Sequence, residues 1–123
     1  MVEFDKVKER GTKMKAFISQ PMKDKTDAEI LEVREKVSEH IRIMFGEDTE
    51  ILDSFFQSAP HDAKPLWYIG ESLKLMSQAD LVVFCYGWEY TRGCRIEHKC
   101  AELYGIPYEE ADKDGIFYSN YYG

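Results

Sequence analysis

The sequence predicts an α/β fold: a single doubly wound, flavodoxin- or Rossmann-like parallel sheet of about four to five strands with helices on both faces. Two observations carry this expectation. Short apolar runs alternate with longer stretches whose apolar residues recur every three or four positions, in the order β-α-β-α-β-α-β. One run, Leu81-Val82-Val83-Phe84-Cys85, is apolar without interruption, as a central strand covered on both faces requires.

Residues 1–13 are polar and read as a leader with little bearing on function. The α/β domain is expected over 14–110, followed by an aromatic tail over 111–123. Ala16-Phe17-Ile18 forms the first strand, ended by Ser19-Gln20-Pro21. Thr26-Asp27-Ala28-Glu29 has the pattern of a capping box, and Ile30, Val33, Val37, Ile41 and Met44 mark one face of a helix that stops near Gly46. Thr49-Glu50-Ile51-Leu52-Asp53 is short enough for a strand. The stretch from Ser54 to Pro65, with Pro60, His61 and Asp62, is a long connection of the kind that often carries function. The second helix runs from about Leu66 to Gln78 and buries Ile69, Leu73 and Met76. Beyond the central strand, Tyr86 to Gly93 makes a loop, Cys94 to about Tyr104 a third helix ended by Gly105, and Ile106-Pro107-Tyr108 the last strand.

With 123 residues the chain has room for one core. Its 16 Lys and Arg against 23 Asp and Glu, a formal net charge of −7, argue against a nucleic acid polymer as partner and leave a small molecule as the expected ligand. No apolar run approaches the roughly 20 residues of a membrane helix, and the first residues lack the apolar stretch of a signal peptide. The expectation is a cytoplasmic protein without a membrane partner. Three cysteines without a C-x-x-C pair, and His40, His61 and His98 without ligand spacing, predict no metal. Neither G-x-G-x-x-G nor G-x-x-x-x-G-K-[ST] occurs, so no dinucleotide or P-loop chemistry is expected, and no cofactor.

Ligands of open parallel sheets bind at the carboxyl ends of the strands, which singles out three loops: Ser19 to Lys25, Asp53 to Pro65 and Tyr86 to Gly93. Glu97 stands three residues after Cys94 and three before Cys100, on the helix face that carries small apolar side chains. An inward carboxylate is an unusual choice for a merely solvated position. The nearby helix N-terminus would favour its ionised form and burial would oppose it. The alternative is a solvent-facing Glu97 paired with Arg92 or Arg95. Trp88, in a Gly-Trp loop, reads as a ligand contact, flanked by Tyr90, whereas Trp67 and Tyr68 read as core packing.

The stretch from Ala79-Asp80 through Trp88, Thr91, Gly93 and Glu97 to Ala101, followed by Tyr104-Gly105-Ile106-Pro107, resembles nucleoside 2-deoxyribosyltransferases and the related deoxynucleoside 5'-monophosphate N-glycosidases. Phe17-Ile18-Ser19-Gln20-Pro21-Met22 looks like the first strand and sugar or phosphate loop of that superfamily, and closer still to its small phage and bacterial members. The resemblance covers roughly residues 14 to 108 and is specific over Asp80 to Pro107.

It implies an enzyme that cleaves or transfers the N-glycosidic bond of a deoxynucleoside or its 5'-monophosphate, with Glu97 as nucleophile. Ser19, Gln20, Met22, Lys23, Asp53, Trp88, Thr91 and Gly93 are the implied substrate contacts, Thr91 touching sugar or phosphate and Lys23 pairing with a 5'-phosphate. Two positions depart from the pattern. Ser72, eight residues before Asp80, stands where the N-glycosidases carry an assisting Asp, and Phe17 stands where a Tyr is common. The alternative on the same scaffold is a protein that binds a nucleotide or nucleotide signal without cleaving it. Phe117, Tyr118, Tyr121 and Tyr122 present more apolar area than a soluble monomer leaves in water, which predicts a homodimer or larger homo-oligomer. Residues 116–122 are too aromatic for a free tail: either they cover this subunit's sheet or they dock on a neighbour, where the tail with Ser119 and Asn120 is expected to border the neighbour's pocket.

Overall fold

The computed structural model describes residues 13–118. Four parallel strands, β1 (Lys15–Ser19), β2 (Glu50–Ile51), β3 (Leu81–Phe84) and β4 (Tyr108–Glu110), form one sheet in the order β2-β1-β3-β4. Three helices connect them: α1 (Asp27–Phe45), α2 (Pro65–Met76) and α3 (Arg92–Tyr104), with a 3₁₀ turn at Trp88–Tyr90 before α3. The chain moves outward from β1 to β2, crosses back to β3 and continues to β4. That reversal places the switch point of the sheet between β1 and β3.

Alternate side chains of the two inner strands feed two separate cores. Ala16, Ile18, Leu81, Val83 and Cys85 pack against Val37, Ile41 and Phe45 of α1 on one face. Phe17, Val82 and Phe84 pack with Met76 of α2 and Ala101 of α3 on the other. This is the two-faced burial that the uninterrupted run at 81–85 called for, and all four residues of β3 are buried.

The caps are where the local sequence places them. Thr26 Oγ1 accepts from Glu29 N at 3.1 Å, and Thr26 N donates to Glu29 Oε1 at 2.8 Å. Gly46 ends α1 at φ 119°, open to glycine and strained for other residues. Pro65 starts α2 at a position whose N–H has no helical partner to lose.

The last strand and the third helix begin elsewhere than expected. β4 lies two residues later than Ile106-Pro107-Tyr108, because Pro107 has no N–H to give a ladder and contributes only its carbonyl, which accepts from Val82 N at 3.0 Å. The third helix starts at Arg92 rather than Cys94. The segment after β4 takes the first of its two expected courses as far as Phe117 and covers its own sheet: Ala111 and Phe117 are buried in the α1-side core. There Phe117 meets the His40 ring edge-on at 4.6 Å, and its carbonyl lies 2.8 Å from His40 Nε2. Tyr118 is 84% exposed, and Ser119, Asn120, Tyr121 and Tyr122 lie outside the described residues, as does the leader up to residue 12. Among the described residues, no helix is long and apolar enough to cross a membrane.

Candidate active site

A cleft of about 500 Å³ opens at the carboxyl edge of the sheet, over the switch point between β1 and β3. Its walls come from the β1–α1 loop, the connection after β2, the start of α2 and the start of α3. Glu97 reaches its floor from the second turn of α3 and is 6% exposed. Ser19 Oγ, at the end of β1, donates to Glu97 Oε1 at 2.5 Å, and the Ser72 hydroxyl of α2 also hydrogen-bonds the carboxyl group. Neither Arg92 nor Arg95 pairs with it; the solvent-facing alternative does not hold.

Burial pushes the Glu97 carboxyl above the ordinary glutamate value, and the two serine hydroxyls pull it partly back. With α3 starting at Arg92, Glu97 is its sixth residue, past the turn in which the helix N-terminus acts on a charge. The hydroxyls therefore do the work that the sequence assigned to the helix end. Cys94 lies in the same wall, its thiol hydrogen-bonded with Ser19 and Thr91, and burial raises its pKa.

Of the substrate contacts expected from sequence, Ser19, Gln20, Met22, Lys23, Thr91 and Gly93 line the cleft with Glu97. Gln20 is a frame residue rather than a free hand, because its Nε2 donates to Ile30 O at 3.0 Å and its Oε1 accepts from Arg34 at 3.4 Å. Gly93 lets α3 approach α2, since a Cβ there would stand 3.1 Å from Ile69 Cδ1.

Two expected contacts are elsewhere. Trp88 is turned to the outer side of α3, where its ring stacks on His98 at 3.9 Å with 6° between the planes and also packs on Phe84. An indole with two rings at hand gains more by packing on them than by facing an open cleft. Asp53 is exposed outside the cleft, its charge acting on the neighbouring Arg34. Tyr68, expected in the core, instead lines the cleft mouth, while Trp67 is half-buried edge-on against Phe56 at 6.1 Å. His61 and Asp62 are exposed outside it, and Glu71 pairs with Lys74 at 2.7 Å. Glu97 is thus the single carboxylate among the described lining residues.

Phe55 and Phe56, which complete the aromatic wall, were missed. Their signal was legible as an adjacent aromatic pair inside an otherwise polar connection. Arg34 was also missed. From the inward face of α1 its guanidinium donates to Leu52 O at 2.5 Å and to Ser54 Oγ at 2.9 Å, and Ser54 Oγ in turn donates to Ile18 O at 2.8 Å. This network ties the connection after β2 to the end of β1. Burial lowers the Arg34 pKa and the Asp53 charge opposes that.

No group of three or more His, Cys, Asp or Glu side chains among the described residues is placed to hold a metal ion. Cys85 and Cys94 are buried free thiols, the former pushed up to about 12 by desolvation. Comparison with known proteins finds no family model, no curated protein and no solved structure that matches the chain.

Proposed function

We propose that the chain is a nucleoside deoxyribosyltransferase-like enzyme that acts on the N-glycosidic bond of a deoxynucleoside or its 5'-monophosphate, with Glu97 as nucleophile. The observation that supports this most is the placement of Glu97: a desolvated carboxylate on the floor of an aromatic-walled cleft, held by two hydroxyls and no cation. A carboxylate without a counter-ion keeps its electron pair available, and hydroxyl partners orient it without neutralising it. Glu97 Oε attacks the anomeric carbon, the carbon–nitrogen bond breaks, and its electron pair leaves with the base, which takes a proton from water. Water or the nitrogen of a second base then attacks the same carbon and returns the carboxylate. Phe55, Phe56, Tyr68 and Tyr90 offer the flat apolar surfaces on which a base stacks. Ser72 also supports the resemblance, because the position where relatives carry an assisting Asp lies against Glu97.

The test is release of free base from the common deoxynucleosides and their 5'-monophosphates, with and without a second base. We expect turnover by the wild type and none by Glu97→Gln. Wild-type turnover in that variant would remove Glu97 from the mechanism.

One observation favours the binding reading. With Glu97 the lone carboxylate among the described lining residues, no second carboxyl group stands beside it to protonate a leaving base. General acid catalysis contributes about 10²- to 10⁴-fold. Ligand-induced thermal stabilisation without base release would select that reading.

A further inference from the structure

We propose that the cleft takes a nucleotide bearing a chain of phosphates, and that this chain leaves over Arg92 and lies along Arg95 and Lys99. The proposal rests on the nucleoside reading of the cleft and names its substrate class. Arg92, Arg95 and Lys99 follow one another on α3 at spacings of three and four, so they form one row on its exposed side. The row spans about 10 Å at 1.5 Å per residue, more than a single phosphate engages. Beside it runs an open groove in which Trp88 and Ile96 supply the apolar surface. Arg92 belongs to both the cleft and the groove, which makes the two continuous.

No carboxylate among the described residues pairs with Arg92, Arg95 or Lys99. Glu102, the one carboxylate in the groove, stands 3.5 Å from His98 Nδ1 instead.

The row also works against its own helix. Arg92 opens the first turn of α3 and Arg95 closes it, where the helix field disfavours cations. That turn holds no acidic residue, and Thr91 makes no side-chain cap hydrogen bond. In a chain of net charge −7, cations gathered at the end of a helix that repels them call for an anion. Guanidinium forks match phosphate oxygens in pairs, and successive phosphates offset the mutual repulsion of the row.

The experiment is calorimetric titration of the full chain, free of divalent cations, with four deoxynucleosides and their mono-, di- and triphosphates. Affinity is expected to climb by about tenfold or more from nucleoside to triphosphate, and to fall with salt most steeply for the triphosphate. In R95Q/K99Q the series should level off at the monophosphate with nucleoside binding unchanged, and R95K/K99R should restore the climb. Equal affinity along the series, or an unaltered climb in R95Q/K99Q, overturns the proposal. Tighter binding of a single-stranded oligodeoxynucleotide than of any mononucleotide also overturns it, because a polymer would then be the occupant. Binding is read here without turnover, so a normal climb with no release of base would sink the glycosidic reaction alone. Absence of binding by every member of the series would sink both.

Discussion

Glu97 is poised between two opposing effects: burial favours its neutral form, and the Ser19 and Ser72 hydroxyls favour the anion. Burial is the larger, so the folded-state pKa lies above the unfolded one. Protonated Glu97 therefore suits the fold, and stability on its account is full below the ordinary glutamate pKa and is lost as pH rises through the raised value. Glu97→Gln, a neutral isostere, escapes that loss. Its melting temperature relative to wild type is expected to rise as pH climbs from below the ordinary glutamate value through the raised one, and a difference that stays flat would show that the carboxyl is not desolvated in solution. The neighbouring serine supports a second prediction. Ser72→Asp puts another carboxyl beside Glu97, and two such groups cannot both ionise freely, so one becomes an acid near neutral pH. Base release is expected to increase by about tenfold or more, up to the roughly 10²- to 10⁴-fold that general acid catalysis contributes when fully in place. Turnover no faster than wild type, in a variant that melts normally, would mean that leaving-group protonation is not what position 72 lacks.

At the level of elements, the cleft depends on a connection with little secondary structure of its own, held in place from α1. Arg34 sits four residues after Ile30 and three before Val37, both inward, so the helix periodicity already pointed it at the interior. What the sequence left open was its partner, because carbonyl and hydroxyl groups 18 and 20 residues away become neighbours only when β2 pairs with β1. Arg34→Ala strands the Leu52 carbonyl and leaves Ser54 Oγ with only its bond to Ile18 O, at a cost of about 1 to 3 kcal/mol. Faster amide exchange over residues 52–56 is expected, with partial recovery at most in Arg34→Lys, whose ammonium lacks the fork. Unchanged exchange would mean that backbone pairing alone holds the connection. Val33 shows the opposite error, since it fits the apolar spacing but is 38% exposed at the margin of the buried stripe. A spacing of three or four defines a face and not its width.

For the molecule as a whole, the face of the sheet under α1 is finished by the chain's own later residues. Phe117 is 2% exposed against Phe45 and His40, so Phe117→Ala is expected to destabilise by about 3 to 5 kcal/mol, read as a lowered melting temperature. A loss under about 1 kcal/mol would place this ring outside the core in solution. Because Phe117 is committed to its own core, the expected homo-oligomer has to draw on Tyr118 and on residues outside the described range. A chain ended at Tyr118 keeps the core ring. Light scattering is expected to give an assembly for the full chain and a smaller particle for the shortened one. A full-length monomer would end the expectation of an oligomer.

The sequence by itself determined the elements and the layering: the capping box at Thr26, the Gly46 and Gly105 stops, and a central strand at 81–85 were all legible because each is written in neighbouring residues. It also placed Glu97 on an inward face, for the same reason of spacing. The tertiary structure alone decided which polar groups meet. Ser19 and Glu97 lie 78 residues apart, and they touch because β1 and β3 pair at the switch point, a contact that no local pattern encodes. It likewise decided between rival homes for the aromatics, turning Trp88 onto His98 and leaving Tyr68 at the cleft mouth. An apolar ring buries itself against whatever the fold brings near. That competition is settled by packing across the whole core rather than by the residues on either side of the ring.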